Sequence, residues 1–357
     1  MKLSFGRPDP LRTTQVLAGA CIAVLLGMIG VAAVGSAPRP GGAVAQKAPK
    51  LVEPAEAAEL ALSQQGKKAV QVGFYLNRIS EVSHKDGTLS IDAWLWFRWK
   101  DKELTPFSTF ELVNGEVEER SATEVMEDDG YQYSSVRMRA KVFQPFDVER
   151  YPFDNHTIGL AIEDSNSEFE LMEYVPDQGS MIDPSVSLHG WNVKLKGVSS
   201  RPHSYPTNYG FRSLGSNTST YSRFLVELDL IRHESLITVI KLFWVSYLAL
   251  ILAVGACFVK SSDLDARFGL GLGAIFAASA NTIAVSAELP DTPIITLAEQ
   301  INIITVVAIF FTIFLSIVSL RLRHAGRDQA AELLDFSGAG SVAILYVVAL
   351  WAIFAGV

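Results

Sequence analysis

The sequence predicts an all-β sandwich or barrel followed by a four-helix transmembrane bundle, on three observations. Hydrophobic residues make up 49% of the 357 positions and charged residues only 19%. A soluble chain carries about 25% charge, so the deficit implies long uncharged stretches. Between residues 67 and 232 apolar and polar side chains alternate with period two, as half-buried strands do. From residue 236 onward four apolar runs follow one another, most of them near the roughly 20 residues that cross a bilayer. The net charge of −8 and a pI near 5.4 argue against a nucleic-acid partner, which needs a basic face.

Taken in order, Lys2, Arg7 and Arg12 precede an apolar run from Val16 to Val34, and small residues follow at Gly35-Ser36-Ala37 and Ala43-Val44-Ala45. Residues 1–45 therefore read as a signal peptide or an uncleaved N-terminal anchor. Pro38 to Pro54 is rich in Pro, Gly and Ala, and residues 46–66 read as a linker. Strand patterns follow at Val70/Val72/Phe74, Leu89/Ile91/Ala93, Val136/Met138/Ala140 and Phe224/Val226/Leu228/Leu230. Turn signals separate them at Lys85-Asp86-Gly87, Asn114-Gly115, Asp129-Gly130, Pro176-Asp177 and Asn208-Tyr209-Gly210. The β domain is expected over 67–232, and the helical domain over 235–357 with spans at about 236–259, 266–287, 298–320 and 340–357. Lys260 and Arg267 flank the first connection, Arg321, Arg323 and Arg327 follow the third span, and Glu288 to Gln300 carries only acidic charge. Positive connections lie on the cytoplasmic side, which puts the β domain on the opposite side, in agreement with an export signal. Cys21 and Cys257 both lie in apolar runs and suggest neither a disulfide framework nor a metal cluster.

Several motifs recur in a telling order. Phe146-Asp147 and Tyr151-Pro152-Phe153-Asp154 lie between two strand-like segments. The aromatic-rich stretch Asp92 to Asp101 ends in a W-x-D-type turn, Gly190-Trp191 opens another strand, and Arg232 ends the last one. Asp265-Ala266-Arg267 opens the second span, Leu289-Pro290 closes it, and Thr292-Pro293 continues the connection. In order and spacing, the chain from about Gly66 to Val357 resembles the pentameric ligand-gated ion channels, the Cys-loop receptor family. The lack of a cysteine pair around Tyr151–Asp154 is similar to its prokaryotic branch. The resemblance implies an immunoglobulin-like sandwich as the ligand-binding domain and a homopentamer whose second span lines the pore. It also implies a place in a bacterial plasma membrane, with the sandwich periplasmic or extracellular. It puts Phe146, Asp147, Tyr151, Pro152, Phe153, Asp154, Arg232 and Pro290 at the junction of the domains, with Asp154–Arg232 a coupling pair. The bland alternative is that Asp154 caps a turn and Arg232 snorkels to headgroups. The chain departs from the family in three places: no W-x-P segment between Asp101 and Phe143, no Trp near Glu163-Asp164, and no proline in the first span, which carries Lys241.

Steps of three and four residues place Asp265, Gly269, Gly273, Phe276, Ala280, Ile283 and Ala287 on one helical face, with Glu288 just beyond. Five such faces around an axis would stack acidic, small and apolar rings, favour cations, and close by dewetting at Phe276 and Ile283. Two plainer readings stand beside this one. Gly269, Gly271 and Gly273 serve close helix packing, and Asp265 pairs with Arg267 or Lys260 at the membrane surface. Arg267 lies about 160° from the stripe, because two residues turn a helix by about 200°.

Tyr205, Tyr209, Phe211 and Tyr221 surround a Gly/Ser/Asn-rich hairpin, where aromatic faces would attract a cationic ligand. Packing is the competing reading. Glu163 and Asp164, like Glu127, Asp128 and Asp129, are candidates for binding a ligand or Ca²⁺ or for sensing protons; solvated loop charge is the favoured explanation of each. His156 adds one group that titrates near neutrality. No nucleophile–base pair, helical His pair or phosphate loop occurs, so neither enzymatic activity nor a resident metal or cofactor is expected. The expected partners are other copies of the chain, inorganic cations, a small ligand or protons, and lipid, with no nucleic acid. A non-conducting, membrane-anchored β-sandwich receptor is the rival from another class.

Overall fold

The computed structural model describes residues 54–210, 217–233, 236–260 and 263–355. The expected signal or anchor at 1–45 and the aromatic Phe211 lie outside them. The chain forms two compact units. One holds the strands, residues 54–146 and 155–233. The other holds the segment 147–154 and the helices from 236 onward.

In the β unit, helix α1 (Pro54–Gln64) precedes β1 (Lys68–Ser83) and β2 (Thr88–Trp99). The single turn α2 (Pro106–Thr109) leads to β3 (Phe110–Leu112), β4 (Gly115–Arg120), β5 (Met126–Asp128) and β6 (Tyr131–Phe143). The last five strands are β7 (Asn155–Asp164), β8 (Met172–Pro176), β9 (Met181–Ile182), β10 (Trp191–Tyr205) and β11 (Ser219–Arg232). One sheet runs β4-β6-β2-β1-β8, with β5 on β6 and β9 on β1; the other runs β10-β11-β7-β3. The period-two pattern explains the layering. Val70, Val72 and Phe74, Leu89, Ile91 and Ala93, and Val136, Met138 and Ala140 are buried from one sheet, and Phe224, Val226, Leu228 and Leu230 from the other. Phe97 meets Phe110 and Tyr174 at ring centroid distances of 5.7 and 6.4 Å, and Tyr174 N donates to Ser222 Oγ at 2.9 Å. Gly73 leaves the space that the Trp96 ring fills; a Cβ there would lie 2.1 Å from it.

The linker reading of 46–66 is corrected over Pro54–Gln64, which is helical. Tyr131 Oη donates to Glu59 at 2.8 Å, and Lys100 pairs with the same carboxylate at 2.7 Å. Composition hid this helix because Ala and Glu there follow a Pro-Gly-Ala stretch.

Four helices long and apolar enough to cross a membrane form the second unit: α3 (Leu236–Ala256), α4 (Leu264–Ala287), α5 (Leu297–His324) and α6 (Asp328–Ala355). Three starts fall within two residues of expectation, but α6 begins at Asp328, not near residue 340. Its first turns contain Asp328, Glu332 and Asp335, so hydropathy hides a helix that the backbone pattern continues. Helix α5 likewise runs past Leu320 to His324, placing Arg321, Arg323 and His324 in its last turn, where cations offset the carbonyl end of the helix dipole. A capping box starts it: Glu299 N donates to Thr296 Oγ1 at 3.2 Å and Thr296 N to Glu299 Oε2 at 2.9 Å. The expected first span overshoots, since residues 257–259 have already left α3.

Candidate functional site

Helix α4 divides cleanly into two faces. Arg267, Gly271, Ala274, Ala278, Asn281 and Val285 are buried against the rest of the bundle. Asp265, Gly269, Gly273, Ala280, Ala287 and Glu288 are exposed, as are Phe276 at 67% and Ile283 at 72%. The whole expected stripe thus lies together on the open face. The glycines split between the two readings offered for them. A Cβ on Gly271 would meet Ile313 Cγ1 of α5 at 2.9 Å, whereas one on Gly269 or Gly273 would meet nothing within 4 Å. Only Gly271 serves packing within the chain.

Charge at the start of α4 is arranged differently from one expectation. Arg267 does not pair with Asp265. Its guanidinium lies buried, donating to Asp335 Oδ1 at 2.5 Å, to the carbonyls of Ala256 and Cys257 at 3.1 Å each, and to Ser319 Oγ at 3.5 Å. Asp335 was missed because its partner lies 68 positions away. Its signal was a carboxylate placed just ahead of an apolar run. Further along, Asn302 accepts from Ser246 Oγ at 2.8 Å and from Asn281 Nδ2 at 3.1 Å, which ties α3, α4 and α5 by polar contacts inside an apolar bundle.

In the β unit the hairpin β10–β11 brings Tyr205, Tyr209 and Tyr221 together, with Tyr205 ring centroids 6.1 and 6.0 Å from the other two. Strand β7 adds Glu163, which accepts from Tyr205 Oη at 3.0 Å. Arg223, which sequence reasoning missed, completes the group. It donates to Glu163 Oε1 at 2.6 Å and to Tyr205 Oη at 2.8 Å. Its signal was the strand period: Arg223 shares the outward face of β11 with Tyr221. Glu163 therefore meets a neighbouring guanidinium and not an open cation site. Burial, then the bond to Glu163, raises the Tyr205 hydroxyl pKa; burial and the charge of Glu168 raise that of Tyr221. Both hydroxyls stay protonated at ordinary pH. Asp164 does not join them. It is buried, takes the Thr109 hydroxyl, and accepts from Asn166 N at 3.0 Å and Ser167 N at 2.8 Å, so it builds its own turn. The acidic candidates Glu127 and Asp128 lie on β5, with Asp129 in the following turn.

The junction candidates fall in both units. Within the β unit, Phe146 packs at ring centroid distances of 5.1 Å from His84 and 4.8 Å from His156. Trp191 lies 5.7 and 5.6 Å from the same two imidazoles. Arg232 places its guanidinium 4.1 Å over Trp191 and 2.9 Å from His84 Nε2, while its backbone N donates to Asn155 Oδ1 at 2.9 Å. Within the helical unit, Asp147 accepts from Glu149 N at 3.1 Å, Glu149 O accepts from Leu297 N at 2.9 Å, and Phe153 meets Phe354 edge-on at 6.0 Å. The Tyr151–Pro152 bond is cis, Asp154 is buried and Pro290 half-buried. Compared with known proteins, the chain matches no family model and no curated protein.

Proposed function

We propose that the chain is one subunit of a pentameric ligand-gated ion channel, with an immunoglobulin-like sandwich outside the cytoplasm and α4 lining a cation-selective pore. One observation carries the reading: the open face of α4. This helix is the least apolar of the four, and its most apolar stretch is also the least buried, 28% against 33% to 44% in the others. Lipid would favour the reverse, since polar ends and small residues gain nothing from acyl chains. The exposed faces of the neighbours carry Trp244 and Leu248, Phe310 and Phe314, and Leu345 and Trp351, which suit lipid. The face from Asp265 to Glu288 suits water and other copies of itself.

Five Asp265 carboxylates would ring one mouth and Glu288 the other. At roughly 10 Å and an effective dielectric near 20, each charge attracts a passing cation by on the order of 1.7 kcal/mol before screening. Even ~1.4 kcal/mol of net preference is a tenfold bias. Phe276 and Ile283 supply apolar rings between the mouths, where water is expelled in the closed state. The Tyr205–Tyr209–Tyr221 group on the sandwich is the proposed receptor for a small ligand, with protons the alternative stimulus. Reversal potentials under a NaCl gradient test the reading in liposomes. The wild type is expected near the sodium equilibrium potential, and Asp265→Ala is expected to lose about tenfold in cation preference. A wild-type value at the chloride potential overturns it. Silence across a pH and ligand screen points to the anchored, non-conducting receptor.

A further inference from the structure

Arg267 and Asp335 are the buried ion pair of the described helical unit, with side chains 1% and 10% exposed. A charge pair inside a bundle is rarely kept for stability. Apolar side chains of similar volume often do as well, while removing one partner strands a buried charge. Ionisable groups within membrane-crossing helices therefore ask for a role and a partner.

The geometry supplies the role. Arg267 is two residues beyond Asp265, so when one points into the bundle the other points out. The guanidinium is held by groups from three other elements: the carbonyls of Ala256 and Cys257 at the end of α3, Ser319 Oγ of α5, and Asp335 of α6. Its planar fork matches these acceptors in one orientation, a constraint that a methylene chain would not impose. Buried beside Arg267 in these first turns is the small Gly271, which faces Ile313 of α5, while Gly269 and Gly273 lie on the open face, so the guanidinium is the polar group there that is keyed to a fixed set of partners.

We propose that Arg267, clamped by Asp335, is a positioning residue that fixes the rotation of α4 and so presents Asp265 on the open face. The inference rests on the pore reading for its consequence, ion selectivity, but not for its geometry. Two measurements separate them. The first needs no current. With Cys21 and Cys257 replaced by Ala in the full-length chain, Asp265→Cys is labelled by a charged thiol reagent in proteoliposomes. The second is the reversal potential, with Asp265 restored. Asp335→Leu is expected to slow labelling at position 265 and lower cation preference, each by about tenfold, because the stranded guanidinium turns toward water and carries the helix with it. Asp335→Glu, which keeps the partner, is expected to keep both properties. If Asp335→Leu fails to assemble, Arg267→Met with Asp335→Leu removes both charges and restores packing. A double variant that assembles yet has lost labelling and selectivity supports positioning. One that keeps wild-type labelling shows that the pair serves packing alone and overturns the inference. A wild type with no current, whose position-265 labelling still depends on Asp335, overturns the pore reading and leaves the positioning role standing.

Discussion

On the outward side of β2, Asp92 is buried because Arg137 of β6 folds over it, donating Nε to Oδ1 at 2.9 Å and Nη2 to Oδ2 at 2.7 Å. The hydrogen bonds from Arg137 lower the Asp92 carboxyl pKa, outweighing the opposing effect of burial. A folded-state pKa below the unfolded one means that the contribution is present above the unfolded value and lost as pH falls through the folded value. Charge-assisted, two-point bonding of this kind is worth about 1–2 kcal/mol where one partner is half in water. Asp92→Asn is therefore expected to lower Tm by about 3–6 °C at neutral pH. The penalty should shrink as the pH falls below the ordinary carboxylate range, when the wild-type carboxylate also protonates. Thermal scans of the detergent-solubilised chain across pH check this; a pH-independent penalty would assign the loss to shape. Pairings of this kind resist sequence reading. Glu163 and Tyr205 stood out by type and loop position, but Arg223 became part of their group only once β7 and β11 paired.

Among elements, α4 gives a contrast within one helix. Gly271 faces Ile313, so Gly271→Val is expected to weaken α4–α5 packing by about 1–3 kcal/mol, the usual range for overpacking. Gly269→Ala and Gly273→Ala meet open space and should leave Tm unchanged or slightly raised, since Ala is the better helix former, while altering conductance. Equal destabilisation by all three would mean that the open face is packed within one subunit. The elements themselves were largely legible. Period-two alternation at Val70, Val72 and Phe74 reports burial directly, because each strand residue faces one side or the other. Length and hydropathy marked α3 to α5 for the same kind of reason. What failed was hydropathy as a ruler of helix length. The backbone hydrogen bonds of α6 begin at Asp328, in turns whose side chains are polar, and apolar content says nothing of where they start.

For the whole molecule, the proposed pore requires copies of the chain to close around an axis. Head-to-tail contacts that close into a ring leave no unsatisfied edge, and the number five comes from the family that the chain resembles. Light scattering corrected for detergent should give about five times the 38.9 kDa of one chain. A mass of one or two chains would rule out the pore. The resemblance that suggested this rests on short motifs in order, whereas the Arg267–Asp335 ion pair joins residues 68 positions apart. That is why the stripe could be read and the Arg267–Asp335 clamp could not.

The bond from Leu297 N to Glu149 O also bears on how the protein is made. Residues 147–154 leave the ribosome between β6 and β7, long before α5 exists. Domains fold as units, N-terminal parts first during synthesis, so the strands can fold while the partners of this segment are still untranslated. Glu149 and Phe153 must then wait for Leu297 and Phe354, which lie far later in the chain. The loop is set early in sequence and acquires these partners late in synthesis.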